Sequence, residues 1–244
     1  MMERDGFAVF DGDPRVVVWA HAARRVAERI AADAAARRAN LRHGETWFVG
    51  VDALPNDASG AIDGVALQGP WQDHVPDLAQ HSAQLSIIYP GYPQRDPDQS
   101  VANHNYRVRR CAAHVDGLLP EGARRRRYAR EFHAYILGIP LNPLAAAPTV
   151  VWPGSHRIIG AALRAAIGAR GIGDVDLTVA YHAARRDVFD RIAPVQIHAA
   201  PGQSFLIHRF ALHGTAPWQG PVGPGRMIAF FRPEYHDPAE WLAA

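Results

Sequence analysis

Lysine is missing from this chain: all 26 basic residues are arginine, and alanine recurs throughout. That bias discounts arginine clusters as functional signals. Cysteine is scarce as well. Cys111 stands alone, which excludes an intrachain disulfide and favours a reducing compartment. Charge of one sign is not in excess, because the formal net charge is only +2, and this gives no general drive toward nucleic acid or anionic membranes. Nowhere do about 18 apolar residues run unbroken, as a membrane span requires. The stretch from Met1 to Phe10 lacks the basic start and apolar run of a secretory signal. The expectation is a cytoplasmic protein with neither membrane nor nucleic acid as partner. Disorder is excluded too, since 48% of residues are hydrophobic and 20% charged.

What is present has two rhythms. Residues 14–43 are rich in Ala and Arg, with Val17, Val18, His21, Arg25, Ile30 and Ala34 at helical intervals and Pro14 suited to a first helical position. Turn residues then recur through 44–80 and mark short strands or loops. Further on, short apolar runs rich in β-branched and aromatic residues predict strands over 84–89, 106–113, 132–141, 148–152, 195–198, 204–208 and 226–231. An Ala-rich helical insert, broken at Gly171 to Gly173, lies between Ser155 and Arg191. Without a regular βα rhythm, the pattern favours an antiparallel sandwich or barrel in one domain, 1–244, mainly β with flanking helices. The helical region is expected over about 1–80, and the β core over about 81–236 with its insert at about 156–191.

One short constellation carries chemistry. His114-Val115-Asp116 is read as following a strand, and in extended backbone residues two apart point to one side, so an imidazole and a carboxylate converge. A third ligand is offered downstream by either His208 or His213. Two His and one carboxylate on one face of an octahedron form the facial triad of non-haem Fe(II) oxygenases, which leaves positions for cosubstrate and O2. A 2-oxo diacid chelating such a metal needs a buried cation for its distal carboxylate, and Arg suits because its planar fork pairs bidentately and keeps its charge. Arg226, at the start of the last predicted strand, is the candidate, with Arg232 its rival.

Three stretches together resemble the phytanoyl-CoA dioxygenase-like family of Fe(II)/2-oxoglutarate oxygenases. They are His114-Val115-Asp116-Gly117; Pro148-Thr149-Val150-Val151-Trp152-Pro153-Gly154-Ser155-His156; and Gly202-Gln203-Ser204-Phe205-Leu206-Ile207-His208 leading to His213-Gly214-Thr215, with Arg226 behind. The resemblance covers roughly residues 84 to 232. It implies a double-stranded β-helix (jelly roll, cupin-like), with Fe(II) held by His114, Asp116 and His213. It also implies 2-oxoglutarate held by Arg226 and Thr215, with Tyr135 as an aromatic beside it, and hydroxylation of a small molecule with release of succinate and CO2. Asp116 is present where related halogenases carry a small residue. The family's turns differ at Asn142 to Ala147 and at Trp218 to Gly225, so acyl-CoA is not carried over as substrate.

Two other readings compete. One is a cupin-like enzyme with Zn or Mn that does not use 2-oxoglutarate, and the other is a non-enzymatic protein that binds phosphates through Arg124 to Arg127. Within the enzyme reading, the stretch from Gly117 to Arg130, with Arg124, Arg125, Arg126, Arg127, Tyr128 and Arg130, is expected to be a loop at the mouth of the site that draws in an anionic substrate.

Overall fold

The structure, a computed structural model, describes residues 2–243. A short helix α1 (Met2–Asp5) and strand β1 (Phe7–Phe10) lead into α2 (Pro14–Ala32). Asp13 caps α2 by accepting from the Arg15 amide at 2.8 Å, and Pro14 supplies the preset first turn. The predicted helix is broken at Asp33, which ends α2 in extended backbone while its carboxylate accepts from the Ala36 amide at 2.7 Å to start α3 (Ala34–Asn40). Strands β2 (Leu41–Arg42), β3 (Trp47–Gly50) and β4 (Gln84–Ile88) follow. The first 50 residues therefore supply strands as well as helices.

Residues 106–113 differ from expectation. They belong mostly to α4 (Val101–Arg110), started by Ser100, whose hydroxyl accepts from the Asn103 amide at 3.2 Å. Arg107, Arg109 and Arg110 sit in its last turn, where the helix dipole favours cations. The segment 117–130 is a hairpin of β5 (Leu118–Glu121) and β6 (Arg126–Ala129) rather than an open loop. Then come β7 (Tyr135–Pro140), β8 (Thr149–Val151), α5 (Ser155–Ile167), α6 (Thr178–Arg191), β9 (Val195–Ile197), β10 (Ser204–His208), β11 (His213–Thr215), β12 (Arg226–Phe231) and α7 (Pro238–Leu242).

The strands form a seven-stranded antiparallel sheet, β1-β10-β7-β12-β4-β3-β2, and a three-stranded one, β11-β8-β9. Alternation along the strands sorts the core. Leu85 and Ile87, Leu137 and Ile139, and Phe231 pack with Trp19 and Ala23 of α2 on one side of the large sheet. Ile136, Phe205, Ile207 and Ile228 point the other way and meet Val151 and Ile197 of the small sheet. The far side of the small sheet, through Val150 and Leu212, is covered by Ile159, Leu163, Tyr181 and Val188 of α5 and α6. The result is a layered order of helix, large sheet, small sheet and helix pair, mainly antiparallel β with flanking helices. No helix among the described residues is long and apolar enough to cross a membrane.

Candidate metal centre

After α4 the backbone turns through two left-handed residues, Cys111 (φ 53°) and Ala112 (φ 52°). This brings His114 beside the start of β11. The His114 amide donates to the His213 carbonyl at 2.8 Å and the His213 amide returns the bond at 3.0 Å, so the two residues are directly opposed and their rings lie 4.6 Å apart. Gly214 permits the approach, because a Cβ there would lie 2.1 Å from the Cys111 carbonyl oxygen. Asp116 then reaches back, its Oδ1 standing 3.0 Å from His114 Nε2 and 3.6 Å from His213 Nε2. One ligand atom from each of the three residues falls within 4.8 Å of the others.

The proton positions follow from the neighbours. His114 Nδ1 lies 2.9 Å from the Ala112 carbonyl oxygen, and His213 Nδ1 the same distance from that of Ala211. A carbonyl only accepts, so each Nδ1 donates and each Nε2 turns a lone pair toward Asp116. The buried Nε2 of His213 has no hydrogen-bond partner. Three acceptors facing one point need a positive charge among them, and the donor set of two imidazoles and a carboxylate suits a divalent transition metal. Arg232, the rival in the sequence for the cosubstrate carboxylate, does something else. Its Nε donates to Asp116 Oδ2 at 2.5 Å and a second nitrogen donates to Gln84 Oε1 at 2.7 Å. Burial opposes ionisation of Asp116, but the Arg232 guanidinium against it outweighs this and holds its carboxyl well below the usual range. Oδ2 is thereby occupied, and Oδ1 is the oxygen turned to the His pair.

The triad lines a cavity of about 380 Å³ between the sheets, together with Trp47, Tyr92, Thr149 and Thr215 among others. Thr149 and Thr215 are cross-strand partners, and the buried Thr149 hydroxyl has no partner. Thr149 also lines a void of about 20 Å³ against Arg226. Arg226 is 3% exposed and none of its three guanidinium nitrogens has a hydrogen-bond partner. Burial pulls its pKa down to about 10, with Tyr92 opposing. Among the described residues it is a cation built into the core with no counter-ion.

The other sequence candidates separate from the site. Tyr135 is corrected: β7 turns Ile136 into the metal cavity and Tyr135 to the opposite side, where its hydroxyl accepts from Gln80 Nε2 at 3.2 Å beside Trp71. His208 packs on His156, ring centroids 4.8 Å apart, with its Nδ1 accepting from the Phe210 amide at 3.1 Å. The arginine hairpin lies off the cavity as well. Arg126 pairs with Asp176 at 3.4 Å, Arg127 donates to the Leu118 carbonyl at 2.7 Å, Arg130 pairs with Glu121, and Arg124 and Arg125 are exposed. Sequence reasoning missed the Arg232 pairing, Thr149, Tyr92, Trp47 and Arg107. Only the place of Arg232 directly after the strand that begins at Arg226 offered a signal.

The sequence matches no protein-family model and no curated protein. Solved structures share the fold at low identity. AviO1 from Streptomyces viridochromogenes is 14% identical, covering 97% of this chain and 93% of its own, with a TM-score of 0.53. The non-heme alpha ketoglutarate dependent carbocyclase SnoK from nogalamycin biosynthesis is 15% identical over 96% of this chain and 81% of its own, TM-score 0.53. The non-heme alpha ketoglutarate dependent epimerase SnoN of the same biosynthesis is 16% identical over 95% and 80%, TM-score 0.52. At such identities the likeness is one of fold.

Proposed function

We propose that this chain is a non-haem Fe(II) oxygenase of the phytanoyl-CoA dioxygenase-like kind, using 2-oxoglutarate and O2 to hydroxylate a small molecule. The observation that carries the reading is the convergence of His114, Asp116 and His213 on one point with the buried His213 Nε2 unpartnered. The chain path supports the matching architecture. Successive segments alternate between sheets, from β4 to the His114 segment, β7 to β8, β9 to β10, β10 to β11 and β11 to β12, as in a double-stranded β-helix folded as one domain. SnoK and SnoN, described as alpha ketoglutarate dependent, share this fold yet differ in reaction, so the fold by itself does not select hydroxylation.

Each residue then has a task. His114, Asp116 and His213 hold the metal, their orientation set by the Ala112 and Ala211 carbonyls and by Arg232. Arg226 receives the distal carboxylate of 2-oxoglutarate, with the Thr149 and Thr215 hydroxyls beside the path between it and the metal. Val49, Ile136 and Phe230 line the cavity with apolar surface and limit water. When bound, Fe(II) supplies O2 activation coupled to decarboxylation of 2-oxoglutarate to succinate and CO2.

The test is O2-dependent succinate formation from 2-oxoglutarate with added Fe(II), with a metabolite library as substrate source. His213→Ala and Asp116→Ala are expected to lose Fe(II) binding and turnover while keeping the native circular dichroism, whereas His208→Ala keeps both. Full turnover in His213→Ala overturns the ligand assignment. A wild-type protein that binds metal but never converts 2-oxoglutarate points to the cupin-like alternative instead.

A further inference from the structure

Two guanidinium groups line the metal cavity, and Asp116 accounts for only one of them, Arg232. The other, Arg107 in the last turn of α4, has no carboxylate within ion-pair distance among the described residues. One of its terminal nitrogens donates to the Tyr92 hydroxyl at 3.0 Å, its guanidinium carbon lies 5.4 Å from the centre of the Trp47 ring, and its Nε is buried without a partner. The parts around it are fixed. Trp47 donates its indole N–H to Ser86 Oγ at 3.1 Å, and Tyr92 is 3% exposed. Asp96, the carboxylate of this corner, accepts from the His43 and Gly44 amides at 2.9 and 2.7 Å and faces the His43 ring at 3.2 Å.

The unused groups of Arg107 and Tyr92 are donors. Tyr92 accepts from Arg107, so its own hydroxyl proton is left to give, alongside Arg107 Nε and the second terminal nitrogen. Arg107 is half-buried, but its Nε is closed to solvent, and a donor shut off from water without an acceptor is costly unless a ligand supplies one. The cosubstrate does not call for this one, because its 2-oxo acid end belongs to the metal and its distal carboxylate has Arg226, which lines a smaller void meeting the metal cavity at Thr149. We propose that Arg107 and Tyr92 form a second anion anchor, which seats a carboxylate, sulfate or phosphate of the primary substrate. The apolar remainder of that substrate lies along Val49, Ile136 and Phe230 beside the triad. What is oxidised rests on the oxygenase reading; the anion anchor does not.

The experiment has two arms. In the first, inorganic sulfate is titrated in an Arg226→Met background, so that the other cation contributes nothing, and thermal unfolding is followed. Sulfate is expected to raise Tm with Arg107 or Arg107→Lys in place and to have no such effect with Arg107→Gln, or with Arg107→Ala where the glutamine variant does not fold. In the second, a panel of small acids and their neutral methyl esters is tested for stimulation of succinate formation. Acids alone are expected to stimulate, and in the Arg107→Gln variant their KM should rise roughly tenfold or more while the Kd for 2-oxoglutarate stays within about twofold. Sulfate stabilisation that is indifferent to Arg107 overturns the proposal, as do esters that work as well as acids. A rise in the 2-oxoglutarate Kd with loss of Arg107 also overturns it, by assigning the arginine to the cosubstrate. Sulfate stabilisation that follows Arg107 in a protein forming no succinate leaves the anion anchor standing and removes the oxygenase reading.

Discussion

At Arg226 a full charge is buried among Pro140, Phe205 and Ile228 with no acceptor on any nitrogen. Desolvating it without a partner is unfavourable in the ligand-free protein, so the residue makes sense as a stored binding site for an anion. Arg226→Met should therefore act in opposite directions on two readouts. Losing one partner of a buried, hydrogen-bonded charge pair costs about 2–5 kcal/mol, so the Kd for 2-oxoglutarate should rise well over tenfold. The ligand-free variant should melt above the wild type, because the desolvation penalty is gone. Calorimetric titration and thermal unfolding check the two. A variant with lower Tm and unchanged Kd gives Arg226 a structural role. Arg232 shows how little sequence separation says about roles: it lies just beyond the far end of the strand that Arg226 begins, and its guanidinium is spent on Asp116 and Gln84.

Among the elements, the candidate metal centre depends on a very short one. The His114 segment pairs with β11 through only the two bonds exchanged with His213, extended by the Thr215 amide donating to the Cys111 carbonyl at 2.9 Å. Gly214 lies at the closest approach, so Gly214→Ala must push the Cys111 backbone away, since no flexible side chain is there to yield. The expected result is a loss of fold stability in the overpacking range of about 1–3 kcal/mol together with a tenfold or larger loss of Fe(II) affinity. Denaturant unfolding and anaerobic metal titration measure these, and unchanged metal affinity would show that the pairing does not set the ligand geometry. The same region was hardest to read. The strand expected over 106–113 is mostly α4, a helix with no buried residue, so it carries little of the apolar periodicity that separates helix from strand. By contrast β10 and β12 were legible to the residue, since each is a bounded run of β-branched, aromatic and aliphatic side chains.

For the molecule as a whole, burial of histidine sets the response to acid. Burial, then Arg209 and His156, pulls the His208 pKa down to about 3, and burial, then Arg107, pulls that of His43 down to about 4. In the unfolded chain both titrate near 6.5. Above about pH 6.5 neither distinguishes folded from unfolded protein. Below it the unfolded state binds more protons, so stability falls as pH drops from about 6.5 toward 4 and continues to fall toward 3 through His208. Urea midpoints at pH 7.5, 6 and 5 should decline in that order, and His208→Asn should flatten the decline; an equal slope in the variant would place the acid sensitivity elsewhere. The sequence by itself determined the antiparallel β character, the helical insert and the three residues proposed as the triad, which the fold brings together. Alternating apolar runs, turn residues and ligand types are local properties, and the sequence motif of His114 and Asp116 needs only their spacing of two. Tertiary structure alone decided which arginine is unpartnered, that Tyr135 faces away from the triad, that the arginine-rich stretch is an off-site hairpin, and that Arg107 lines the cavity. Each of those depends on which face of a strand or helix is covered by a segment distant in the chain, and burial and charge pairing between distant segments leave no periodic trace in sequence.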